Sequence, residues 1–163
     1  MEDLMTICGT NRNGTSTKNM IRAINKLGLS ALVVEYATLH HLQSALKYPA
    51  SEPRAAIVSY LYDLNEKADP HPESGHWATV AAYSSAKSRI VLLDSATRRK
   101  KSYRWSDFRN RWVDYDLKRR KVSKRGRKFR LVRNWQNQLL IVISTESSRL
   151  PKFQIETAKL FTP

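Results

Sequence analysis

Apolar residues Met20, Ile21, Ile24 and Leu27 recur at three- and four-residue spacing. They sit between a capping Thr15 or Ser16 and Gly28, and the pattern predicts an amphipathic helix. Gly28 is placed to close that helix in a left-handed conformation, and the apolar stretch 29–35 that follows predicts a buried strand. Thr38 opens a second short helix through Lys47, with Leu39, Leu42 and Leu46 on one side. Downstream the pattern changes. Residues 55–62, 77–83, 89–93 and 139–144 are rich in Val, Ile and Tyr, are bounded by polar turns, and predict strands. Between the third and fourth of these, Ser106-Asp107 starts a helix on which Phe108 and Trp112 share a face. The order predicts an α+β domain, with N-terminal helices packed on an antiparallel sheet and the stretch 150–163 as a closing element.

A length of 163 residues suits one such domain, spanning residues 1–163. No apolar run approaches the roughly 20 residues that a membrane-crossing helix needs, and the acidic start Met1-Glu2-Asp3 argues against a secretory signal. The expected location is therefore cytoplasmic, without membrane insertion. Cys8 is the one cysteine, so neither an intramolecular disulfide nor a multi-thiolate metal site can form. Adjacent His40 and His41 point apart on a helix, and His71 lies in a stiff Pro-flanked loop, so no metal or other cofactor is expected. The net charge of +15 is local. Residues 118–133 hold ten Lys or Arg and no acid, residues 98–101 hold four more, and the rest of the chain stands at +1. A basic loop is expected over 118–130.

Candidate chemistry lies in Gly75-His76-Trp77 and in Leu92-Leu93-Asp94. Antiparallel pairing of 77–83 with 89–93 about the turn 84–87 sets His76, at the start of one strand, beside Asp94, at the end of the next. A carboxylate that accepts a proton from one imidazole nitrogen leaves the other to act as a base. The plainer alternative is a part-buried polar His76 and a turn-forming Asp94.

These segments, in their order, resemble the cysteine peptidase domain found at the front of bacteriocin exporters and in stand-alone relatives, a papain-like fold. The resemblance covers roughly 3–116 and rests on a set of short motifs. These are Glu2-Asp3-Leu4, the loop from Cys8-Gly9-Thr10 to Ser16, Lys26-Leu27-Gly28-Leu29, the short helix from Leu39 to Leu46, His76-Trp77, Leu92-Leu93-Asp94-Ser95-Ala96, and Tyr103-Arg104-Trp105-Ser106-Asp107-Phe108. It implies that His76 is the base, that Asp94 is the acid orienting it, and that the substrate is a peptide or protein. Related domains cut after small paired residues, which implies a narrow cleft.

The resemblance does not put the nucleophile on Cys8, because the family's Gln and Cys-Gly open an earlier helix and the Cys8-Gly9 loop matches a later, non-catalytic one. Cys8 also stands apart from the helix start at Thr15 or Ser16 that could activate a thiol, and Glu2 would repel an oxyanion. The chain as given is thus expected to begin downstream of the nucleophile segment and to be inactive. Three readings stay open. Met1 is an internal start in a longer frame, the domain is a remnant without hydrolysis, or Cys8 is recruited as the thiol. A non-catalytic peptide-binding module is the alternative function. A further rival is nucleic-acid binding through residues 118–133 with Trp112, Tyr115, Phe129 and Trp135, although Trp112 and Trp135 are expected in the core. Asp114, Tyr115 and Asp116 are expected at the surface near a helix end.

Overall fold

The structure, a computed structural model, describes residues 4–10, 14–48, 51, 53–62, 75–94, 98–122 and 129–163. A single turn α1 (Leu4–Ile7) leads to α2 (Thr17–Lys26), which Ser16 caps by accepting from the Asn19 amide at 3.3 Å, and Gly28 then turns the chain at φ +75°. Strand β1 (Ser30–Val34) is buried along its length. Helix α3 (Leu39–Leu46) opens with a capping box in which Thr38 accepts from the His41 amide and His41 Nδ1 accepts from the Thr38 amide. His41 is therefore a capping residue, packed at 4.6 Å on Phe153. Four strands follow, β2 (Arg54–Leu61), β3 (Gly75–Ser84), β4 (Arg89–Asp94) and β5 (Arg99–Arg104). After them come α4 (Trp105–Arg111), a ribbon of β6 (Val113–Lys121) with β7 (Phe129–Asn137), then β8 (Leu140–Ser144) and β9 (Ala158–Phe161).

Seven strands form one antiparallel sheet in the order β5-β4-β3-β2-β8-β1-β9. Side chains alternate between its faces. Leu32, Val34, Val58, Tyr60, Ala78, Val80, Ile90, Leu92, Leu140 and Val142 pack against α3, α4 and Trp112, while Ala31, Val33, Trp77 and Ile141 pack against α2. The two N-terminal helices thus lie on opposite faces of the sheet. Neither helix could cover both, because each strand presents apolar groups to each side. The closing stretch behaves as the sequence suggests, with β9 pairing along the edge of β1.

A bulge sets which residues share a face. Near the turn, Ser84, Tyr83 and Ala82 pair with Arg89, Ile90 and Val91. Ala81 is then skipped, so that Val80 pairs with Leu92 and Ala78 with Asp94. Had the register of the turn continued, Asp94 would pair with Thr79 and face the side that Trp77 occupies. The extra residue reverses that parity, so Asp94 lies on the face of Ala78 and therefore of His76.

Where the sequence predicts a basic loop over 118–130, the structure has strands that run to Lys121 and resume at Phe129. Residues 123–128 lie outside the described residues. Lys and Arg occupy both faces of the ribbon and hide the two-residue period, while backbone pairing from Val113↔Asn137 to Lys121↔Phe129 holds it. Its base is fastened to α2, where Asp116 accepts from the Thr17 amide at 3.2 Å and Thr17 Oγ1 donates to buried Gln136 at 2.9 Å. Trp112 is in the core, but Trp135 is not. It is 46% exposed on the ribbon and edge-on to Tyr115 at 5.1 Å, because its neighbours belong to the projecting hairpin and not to the sheet.

Asp114 likewise is no idle surface residue. Its carboxylate packs so closely on Gly75 that a Cβ at position 75 would overlap it, which ties the ribbon base to the start of β3. Burial pushes this carboxyl up to about 6, opposed by the hydrogen bond from the Tyr115 amide and assisted by the charge of Asp116.

Two stability measurements follow from this packing. Trp112 is fully buried against Phe108 and donates to the Leu139 carbonyl at 2.9 Å. Trp112→Phe should lower the unfolding free energy in urea by about 1–2 kcal/mol and Trp112→Ala by about 3–5 kcal/mol. An Asp114 value raised from 3.8 to about 6 means that the folded state holds the proton more tightly than the unfolded state. Its contribution is most favourable at low pH and is lost as pH rises from about 4 through about 6. Asp114→Asn keeps an acceptor for Tyr115. It should therefore stabilise the protein by on the order of 2 kcal/mol at alkaline pH and little in acid, as read by urea unfolding at both ends of that window.

Candidate active site

β3 carries His76 at its first turnless position after Gly75, and β4 ends on Asp94. Because Asp94 stands opposite Ala78, the two side chains are diagonal neighbours on one face, offset by two residues from direct opposition. His76 Nε2 lies 2.9 Å from Asp94 Oδ1. The Asp94 side chain is wholly withdrawn from solvent, whereas His76 keeps 21% of its side-chain surface exposed. With Asp94 ionised, Nε2 carries the proton and donates it to the carboxylate, and the Nδ1 lone pair is then the basic position of the ring.

Aromatic rings enclose this pair. Tyr60, directly across β2 from His76, packs edge-on to the imidazole at 6.0 Å, and Tyr62 packs at 5.2 Å. Burial, chiefly, and then the nearby Tyr103 phenol push the Tyr60 hydroxyl far above its ordinary range, and the Asp94 charge adds to this. Tyr60 is therefore a neutral wall of the site. Lys101 of β5 lies on the same face as Leu92 and sets its ammonium 3.9 Å from the centre of the Tyr62 ring. Sequence reading missed Tyr60, Tyr62 and Lys101. Their positions follow from the β2–β3 and β4–β5 registers, for which the sequence offers no turn signal.

Cys8 is fixed elsewhere. It follows α1 directly, at the carbonyl end of that turn. Asn19 donates to the Gly9 carbonyl at 3.4 Å, Thr10 and Thr15 share a hydrogen bond at 2.6 Å, and Trp77 Nε1 donates to the Thr15 carbonyl at 2.8 Å. The Cys8 turn is thus tied to α2 and to the face of β3 that Trp77 occupies. His76, the adjacent residue, points to the other face. His71, Ser95 and Ala96 lie outside the described residues. Among the described residues no group of three or more His, Cys, Asp or Glu could hold a metal, and no helix is long and apolar enough to cross a membrane. A cavity of about 750 Å³ lies at the turn end of the β3–β4 hairpin, away from His76, and is lined by Lys87, Arg89, Arg104, Trp105 and Arg109 among others.

No protein-family model matches the chain, and no curated protein matches it. Among solved structures it is similar to the crystal structure of the peptidase domain of Streptococcus ComA, a bi-functional ABC transporter involved in a quorum sensing pathway. The similarity covers 86% of this chain and 74% of that one, at 15% sequence identity and a TM-score of 0.53. At that identity the likeness is one of fold, an α+β arrangement shared with a peptidase domain.

Proposed function

We propose that this chain is a cysteine-peptidase-type domain of the bacteriocin-processing kind, in which His76 is the proton-transferring base and Asp94 the group that orients it. The observation that carries the reading is the 2.9 Å contact between a solvent-reaching imidazole and a fully buried carboxylate at one end of the sheet. The fold shared with a peptidase domain supports it. A pair of this kind serves acyl transfer. A thiol gives its proton to Nδ1 and the thiolate sulfur attacks a peptide carbonyl carbon. The C–N bond then breaks as His76 returns the proton to the departing amine, and water cleaves the resulting thioester.

In this reading Cys8 does not take that role, which is supported by the ties of its turn to α2 and to the face of β3 that Trp77 occupies. The chain by itself therefore binds peptide beside Tyr62, Lys101 and His76 without cutting it.

The direct test is alkylation of Cys8 by iodoacetamide at pH 6. We expect the slow rate of an ordinary thiol, unchanged in His76→Ala. Fast labelling that disappears in His76→Ala would show that Cys8 is the nucleophile after all. The base-and-acid assignment is tested separately through the ring nitrogens of His76, read by proton–nitrogen correlation at pH 8. The proton should sit on Nε2 in the native chain and spread to Nδ1 in Asp94→Leu, whereas an identical tautomer in both would remove Asp94 as the orienting group.

A further inference from the structure

The β6–β7 ribbon projects from the sheet and presents two unlike faces. On one, Tyr115, Leu117, Arg119 and Lys121 stand beside Trp135, Arg133, Leu131 and Phe129. On the other, Lys118 and Arg120 stand beside Val132 and Arg130. The first face exposes apolar groups that a soluble hairpin ordinarily hides, with Leu117 at 42%, Phe129 at 52%, Leu131 at 63% and Trp135 at 46% of full exposure. Six described cations, Lys118, Arg119, Arg120, Lys121, Arg130 and Arg133, lie among or behind them, and no acid occurs between 118 and 133.

We propose that this ribbon is a docking arm for an anionic lipid surface, lying in the headgroup layer with Leu117, Leu131 and Phe129 toward the acyl boundary and without crossing the bilayer. Charge complementarity selects an anionic partner, since an uninterrupted field of one sign repels any cationic surface and is drawn to negative headgroups. The apolar side chains choose among anionic partners. Aliphatic Leu117 and Leu131 gain only by leaving water for hydrocarbon, which a bilayer supplies and a phosphate backbone does not. Single-stranded nucleic acid would need open aromatic faces to stack on. Here Trp135 meets Tyr115 edge to face, and the Arg133 guanidinium lies 5.1 Å over the Tyr115 ring. Paired as they are, Tyr115 and Trp135 suit the headgroup level, where an apolar ring with a polar edge is most stable. The strands meet the geometric need as well, because their shared two-residue period puts every one of these apolar groups on one side.

The test is co-sedimentation of the full chain with vesicles of phosphatidylcholine alone and of phosphatidylcholine with one fifth phosphatidylglycerol. A titration with a fluorescent single-stranded 20-mer runs in parallel. The expected result is binding to the anionic vesicles only, weakened by added salt. It should fall roughly twenty-five-fold in Arg119→Gln/Lys121→Gln, which share the face of Leu131 and Phe129, at about fivefold per charge removed, and roughly tenfold or more in Leu117→Thr/Leu131→Thr, which alters no charge and keeps strand-favouring residues. Quenching by lipids brominated in the acyl chain should be lost in Trp135→Phe, which separates Trp135 from the other tryptophans. Three outcomes would overturn the proposal: no binding to anionic vesicles, vesicle binding that the Leu→Thr pair leaves unchanged, or tighter binding to the 20-mer than to vesicles.

Discussion

Each strand of the central sheet must satisfy two unlike covers at once, α2 on one side and α3, α4 and Trp112 on the other. That requirement fixes the register. A strand that slips by one residue exchanges every apolar group between covers that do not fit it, and the sheet has no spare polar face to receive the error. The bulge at Ala81 is where this constraint meets the hairpin, since the turn at 85–88 sets one parity and the packing of Val80, Ala78 and His76 demands the other. One unpaired alanine reconciles them. The alignment of His76 with Asp94 is thus a consequence of how the core is packed, and the pair is built on strands in place of a loop.

The same reasoning accounts for what could be read from the sequence. Caps and terminators were legible because they act through neighbouring residues, and Ser16, Gly28 and Thr38 stand where side-chain chemistry alone would put them. The β3–β4 hairpin was legible through its turn, and with it the approach of His76 to Asp94, although not the offset the bulge introduces. Tyr60, Tyr62 and Lys101 were not, because β2 and β5 join the hairpin through pairings that no local signal announces. The ribbon escapes a sequence reading for a different reason. Its cations supply no apolar alternation, and its stability comes from paired backbone and from Asp116 and Gln136 holding Thr17, a contact made 99 to 119 residues away in sequence. Trp135 reads as a core residue from its apolar neighbours, which belong to a hairpin that has no core.

Asp114 and Gly75 show how these parts are joined. The ribbon base reaches β3 through a carboxylate packed on a residue with no side chain, one position before His76. Glycine is needed there for space alone, since its backbone does not require the left-handed region. The site and the ribbon therefore share an attachment point. A larger residue at position 75 would displace Asp114 and the start of β3 together.

The division of exposure between Asp94 and His76 bears on why such a pair is present. Withdrawing a carboxylate from water costs several kcal/mol, and pairing it with a partly exposed imidazole is a poor device for stability, since a well-packed apolar pair of similar volume often does as well or better. A purely structural role would favour burying both partners or exposing both. Here Asp94 is fully enclosed, with Tyr60 held neutral beside it, while His76, packed on Tyr62, keeps 21% of its side-chain surface exposed. Enclosing the acid strengthens its hold on Nε2, because little water competes for the proton. The role proposed for His76, an oriented base, accords with that asymmetry without reference to any thiol.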